Sequence, residues 1–294
     1  MSIGRTSLAL LAALPLLVRP APAGEAVDVR RPASRDGVVT IENASGSIHV
    51  VGWDRAEVAV TGSVGRGGSL NVTGGAHRTR VEVEAETNPQ SVHSDLEVRV
   101  PAAGRVEIEG FSASITVAEV TGAVRAESVN GSISVSGSTK EVRAETVNGS
   151  VEVSGPAVHV SAESVNGSVT VRGASGDLEA TSVNGRVSVT GGTFDRARLE
   201  SVNGGVRFEG KLGDAAWLET ETVSGSVDLI LPAAIGADFT VSTFSGGIQN
   251  ELGPQAHRVG RYTTEKELRF TTGSGKARIN VHTLSGSINI RKQQ

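Results

Sequence analysis

The sequence predicts an all-β fold: a single-stranded parallel β-helix, or β-solenoid, with coils of ~18–21 residues and two short strands per coil. Three observations carry this. One phrase recurs, as Ser128-Val129-Asn130-Gly131, Thr146-Val147-Asn148-Gly149, Ser164-Val165-Asn166-Gly167, Ser182-Val183-Asn184-Gly185 and Ser201-Val202-Asn203-Gly204. Its asparagines step by 18, 18, 18 and 19 residues, and a fixed period of that size marks a repeat architecture. Between the phrases the chain alternates. Val142, Ala144 and Thr146 fall on one face and Arg143 and Glu145 on the other; after Asn148-Gly149, Val151 and Val153 again share a face. This is the period of two that a half-buried strand requires. Composition agrees, since 37 glycines with only six Phe, two Trp and one Tyr among 294 residues suit a thin core repeated many times.

Asn-Gly between alternating strands is also a hairpin signal, through a type I′ turn with positive φ at both positions. A hairpin series would give an antiparallel meander. A meander needs only the polar pattern to recur, whereas stacked coils put each residue about 4.8 Å from its copy. Identity then matters, because amides at that spacing can form a hydrogen-bonded ladder. The recurrence of Asn itself therefore favours the stack. In this reading Asn and Gly turn each coil and Val fills a corner. One coil buries about four or five small side chains, too little to offset the entropy of ordering its backbone, so coils must fold against neighbours.

Along the chain, residues 1–23 read as an export signal: Arg5, an apolar run over 8–18, then Ala21-Pro22-Ala23 before Gly24. The run is shorter than the ~20 residues of a spanning helix, so the mature chain is expected not to span a membrane. Residues 24–294 read as one domain, with a less regular start (24–110), regular repeats (111–230) and looser coils at the end (231–294). Strands are expected over 27–31, 38–41, 57–61, 80–87 and 95–100, and a Gly/Ser-rich loop over 62–76. Ala44-Ser45-Gly46-Ser47-Ile48 is a divergent copy of the phrase, and Ser112-Ala113 precedes Asn130 by one period. The spacing from Ser245 to Ser285 is 40 residues, about two coils with one signature lost. About ten coils, stacked in sequence order, would span roughly 50 Å.

These motifs resemble the bacterial adhesin-like family of envelope proteins, the domain of unknown function 4097. The likeness runs over about residues 27–290. It is carried by 44–48, Trp53-Asp54, Pro101 at a strand end, the five Asn-Gly repeats, Thr222-Val223-Ser224-Gly225-Ser226-Val227 and Thr283-Leu284-Ser285-Gly286-Ser287-Ile288. The resemblance implies a β-solenoid on an exported protein, an adhesin-like surface role, and no catalytic residues to carry over.

The residues themselves point away from catalysis. The six histidines (His49, His77, His93, His159, His257 and His282) show no ligand spacing. Asp28, Asp36, Asp54, Asp95, Asp177, Asp195, Asp214, Asp228 and Asp238 are spread over the chain with no two adjacent, whereas a glycan-cleaving β-helix needs paired carboxylates clustered on adjacent coils. No catalytic, cofactor-binding or metal residue is assigned, no cofactor is expected, and the sequence singles out no binding residue. Glu127, Glu145, Glu163 and Glu200 form one column, interrupted by Thr181 and offset by Arg125, Arg143 and Arg198 two residues earlier. It reads as a solvated face laced with ion pairs, with a cation-binding strip as the sharper alternative. Loss of Arg5 and Arg19 with the leader moves the formal net charge from −4 to −6, which argues against a nucleic-acid partner.

The expectation is thus a non-enzymatic scaffold in the bacterial envelope, periplasmic or at the cell surface, whose face binds protein or glycan. The alternatives are a carbohydrate-active β-helix enzyme and an envelope-stress accessory protein contacting a membrane regulator. Uncapped end coils would leave self-association open. Deleting one regular coil is expected to leave a shorter folded protein with its β circular-dichroism signal intact; collapse of that signal would count against stacked coils.

Overall fold

The structure is a computed structural model that describes residues 24–86, 88–260 and 263–293; the export signal expected at 1–23 lies outside these. The described chain is all-β apart from a short 3-10 turn at Pro89–Ser91. Each repeat contributes two strands, and each strand pairs in parallel with its copy in the next repeat. Thr139–Thr146 lies between Ala123–Ser128 and Ala157–Ser164, with Ala144 opposite both Ala126 and Ala162. Val151–Ser154 lies between Ile133–Ser136 and Val169–Arg172, with Val153 opposite Val135 and Val171. The antiparallel meander is therefore not formed in the regular repeats. The strands of the described residues join in one 23-stranded sheet, whose inward residues form a core rich in Val, Ala, Ile and Leu.

The asparagine ladder is present. Asn148 donates to the Oδ1 of Asn130 at 2.8 Å, Asn166 to Asn148 at 2.7 Å, Asn184 to Asn166 at 2.7 Å and Asn203 to Asn184 at 2.8 Å. The chain bends at each Asn-Gly as expected, but without the geometry of the hairpin alternative. None of Gly131, Gly149, Gly167, Gly185 and Gly204 has positive φ, so no type I′ turn is made. What requires glycine is contact: a Cβ on Gly167 would stand 2.0 Å from the carbonyl oxygen of Gly149. The hydroxyl opening each phrase is buried at the same corner. Ser164 Oγ donates to the Gly149 carbonyl at 2.8 Å and accepts from the Gly167 N–H at 2.9 Å. Thr146, Ser182 and Ser201 likewise donate to glycine carbonyls of the preceding repeat. Val does not fill the corner. Val147, Val165 and Val202 point outward, each roughly two-fifths exposed. Thr220 is an exception inside: its buried hydroxyl has no partner among the described residues.

Stacking follows sequence order only in the middle. The strand Val38–Trp53 sits between 78–101 and 105–118, so the first coil is inserted between the second and third. The C-terminal end repeats the device: Ala277–Ser285 pairs with both 217–224 and Ala237–Ser245, and Ile288–Lys292 with both Val227–Leu231 and Ile248–Asn250. Residues 251–276 are not a coil that lost its signature. They contain Lys266–Thr271, which pairs antiparallel with Ala237–Ser245. Expecting a purely parallel stack in sequence order thus fails at both ends.

Residues 62–76 are not a loop either. Gly68–Gly75 is a strand antiparallel to Arg78–Ala85, with Val72 opposite Val81 and Leu70 opposite Val83; its glycines masked that alternation. At the same end, Glu25–Pro32 and Glu57–Val64 form an antiparallel pair beyond Ser94–Pro101. The outermost strand carries Glu25, Asp28, Arg30, Arg31 and Pro32, residues that discourage pairing with another chain.

Two substitutions separate the parts of the corner. Gly167→Ala is expected to cost ~1–3 kcal/mol or more, because backbone must move. Asn166→Ala, which breaks two exposed ladder bonds, is expected to cost about 1 kcal/mol. Chemical denaturation checks both, and an equal or reversed order would refute the contact argument.

Candidate binding face

The alternation that buries Val142, Ala144 and Thr146 turns Glu141, Arg143 and Glu145 outward, and stacking extends each into a column. The innermost column runs Glu109, Glu127, Glu145, Glu163, Thr181, Glu200, Glu221. It is longer than the sequence reading made it, because Glu109 and Glu221 lie where the spacing or the phrase is irregular. Glu42 and Glu82 prolong it through the inserted first coil. The middle column supplies countercharge: Arg125 bonds Glu127, Arg143 bonds Glu145 and Arg198 bonds Glu200. The pairing fails at Ser161 and Glu179, which occupy the positions of these arginines.

Glu163 therefore has no arginine on its own rung. Burial holds its carboxyl above the ordinary range, and Glu145 and Glu179 add to this against a pull from Arg143 and a hydrogen bond from Ser161. Such a group binds its proton more tightly in the folded state than in the unfolded state, so stability falls as pH rises through the interval between the two pKa values. Its ionised form is a cost at neutral pH. Glu163→Gln is expected to raise Tm at pH 7, with the gain gone below about pH 4, where the carboxyl is protonated in both states. A pH-independent gain would place the effect elsewhere.

Beside the glutamates runs an apolar stripe made by the valine of each phrase. It passes through Phe111, Val129, Val147, Val165, Val183, Val202, Val223, Leu284 and Phe244. Phe111, Val223, Leu284 and Phe244 are between two-fifths and just over half exposed. At one residue per rung the stripe is roughly 40 Å long. Shallow grooves of ≈570, ≈430 and ≈360 Å³ follow it, with glutamates on one wall and the stripe on the other.

The largest depression, ≈740 Å³, lies on the outer columns of the same sheet. It extends from Glu141 and Arg143 to Trp217 and passes over His159, Ser161, Asp177 and Glu179. His159 Nδ1 lies 3.4 Å from Asp177, and Arg198 lies 3.8 Å from Glu219. Among the described residues no three His, Asp or Glu side chains form a metal-holding group, and no helix is long and apolar enough to cross a membrane. Sequence reasoning singled out neither the stripe nor the depression. The signals were present: a valine at every phrase, a serine breaking the arginine column, and a tryptophan one rung beyond Arg196.

The family model described as Toastrack DUF4097 matches residues 33–291. No curated protein matches the chain. Similar solved structures include a putative adhesin from Parabacteroides distasonis, with a TM-score of 0.39 and 9% identity, covering 91% of this chain and 98% of that one. A putative adhesin from Bacteroides fragilis has a TM-score of 0.33 and 11% identity, covering 91% and 98%. A putative cell adhesion protein from Clostridium sporogenes has a TM-score of 0.25 and 9% identity, covering 92% and 100%.

Proposed function

We infer, from the premise that the chain belongs to the Toastrack DUF4097 family, that it is a non-enzymatic, adhesin-like surface of the bacterial envelope. Residues 24–294 act in this reading as one β-solenoid domain, which the parallel registers of the middle repeats support. Export rests on the charged, apolar and small-residue pattern of residues 1–23.

The observation that carries an interaction role is the apolar stripe. Soluble monomers rarely expose a continuous apolar patch of this extent unless something covers it. A stack built only for stability could place Thr or Ser at the outward position of each phrase. The wall of carboxylates beside the stripe sets the character of the partner: an extended protein segment that offers apolar side chains to the valines and basic groups to the unpaired glutamates, Glu163 above all. Such a partner would lie along the groove, crossing successive rungs.

The test compares the wild-type protein with a Val147→Thr, Val165→Thr, Val202→Thr variant, which keeps β-branching while adding hydroxyls. Proteins captured from envelope extract are identified by mass spectrometry. A specific partner is expected to be captured by the wild type and reduced at least tenfold by the variant, with Tm changed little. Equal capture by both would sink the stripe as the docking surface. Hydrolysis of envelope polysaccharide by the purified chain would sink the non-enzymatic reading.

A further inference from the structure

We propose that the depression on the outer columns is a binding site for a neutral oligosaccharide. This deepens the surface role argued above by assigning a ligand class to a second place on the same sheet.

The recess exists because the repeat is broken there. The middle column carries Arg125 and Arg143 on one side and Arg198 on the other, whose long side chains cover the sheet; between Arg143 and Arg198 it carries Ser161 and Glu179. Replacing a guanidinium arm by a hydroxymethyl group opens the floor of the ≈740 Å³ depression. From the rung of Glu141 to that of Trp217 is four strand spacings, roughly 19 Å, the scale of a short linear chain of sugars.

The lining chemistry selects the class. Glu141, Asp177 and Glu179 line the recess alongside Arg143, Arg196 and Arg198. Three carboxylates against three guanidiniums leave almost no net charge, which disfavours a polyanion or polycation. Both groups are planar and two-pronged. A carboxylate accepts from two hydroxyls, and a guanidinium donates to two oxygens, a match for the vicinal diols of a pyranose. A peptide strand has less to hold it, because this sheet's backbone groups are already paired with adjacent rungs and the site is not at an edge.

Trp217 supplies the apolar element. The chain has two tryptophans, and the other has structural partners. Trp53 donates its indole N–H to the Glu57 carbonyl at 2.9 Å, and Arg55 and Arg99 lie 5.1 and 5.9 Å from its ring. Among the described residues Trp217 has no such hydrogen bond and no stacked cation. It is partly buried at the end of the recess, in register between Arg196 and Arg278. An indole that lines the recess and whose N–H has no partner among the described residues suits the C–H face and hydroxyl rim of a sugar ring.

The test is titration of the whole mature chain with neutral oligosaccharides, namely cello-, xylo- and N-acetylchito-oligosaccharides, followed by tryptophan fluorescence and calorimetry. At least one series is expected to bind and perturb Trp217 emission. Trp217→Ala is expected to weaken binding tenfold or more. Ser161→Arg restores the arginine on one of the two broken rungs and fills that part of the recess, so it is expected to abolish binding while Tm holds. Absence of binding by every series, binding of acidic glycans alone, or undiminished binding by a folded Ser161→Arg protein would each overturn the proposal. Because the valine stripe is left intact, loss of the oligosaccharide site would leave partner capture at the stripe unaffected, and the two readings fail separately.

Discussion

The structure depends on one close approach. At each corner the glycine of one repeat lies against the glycine carbonyl of the repeat before it, so closely that a Cβ on Gly149 or Gly167 would overlap that oxygen. Neighbouring strands in a sheet are held about 4.8 Å apart by their hydrogen bonds, and a corner must keep the same spacing although it is not a strand. Glycine lets the two backbones meet. The buried hydroxyl then joins them, accepting from its own repeat and donating to the previous one, as Ser164 and Ser182 do. With the spacing held through the bend, the outward amides fall at ladder distance. The asparagine ladder is thus a consequence of the corner as well as a support for it.

A stack with this repeat has no internal reason to stop. Each end of a parallel ladder presents unpaired backbone groups to solvent or to another chain. Here both ends are closed by departing from sequence order. The first and last coils are inserted one place inward, and antiparallel strands cover part of the displaced coils, Gly68–Gly75 at one end and Lys266–Thr271 at the other, while Ile248–Asn250 pairs only with Ile288–Lys292 among the described strands. At the C-terminal end Phe239 stacks at 4.3 Å on Phe270 of the covering strand. Antiparallel pairing serves here because its strands can return through short connections, whereas a further parallel rung would need another whole coil.

This explains which parts were legible from the sequence. Recurrence of Asn130, Asn148, Asn166, Asn184 and Asn203 announced stacking, because only stacking makes identity matter. The alternation around Val142 and Val151 announced what was buried. The order of the end coils was illegible, since Ser224 and Ser245 pair equally well with Ser285 as far as local pattern goes. The strand at 68–75 was hidden by its glycines. The valine stripe was misread for a different reason: Val is so often buried that an outward valine at every repeat looked like a corner filler. Its position between a buried hydroxyl and an outward amide placed it just past the strand, where the alternation no longer says which side it faces.

The same logic locates function. Inward positions are constrained on both sides by their copies, so Ala126, Ala144, Ala162 and Ala180 are alike. Outward columns meet a copy only along the stack and meet solvent otherwise, so a change on one rung disturbs its neighbours little. The regular outward pattern of arginine beside glutamate is already a low-energy arrangement for the stack. A departure from it that leaves Glu163 without an arginine, places Glu179 beside it and opens a recess at Ser161 gives up that pairing for no visible structural return. On a periodic surface, the rungs where the period is broken are the ones to interrogate for recognition.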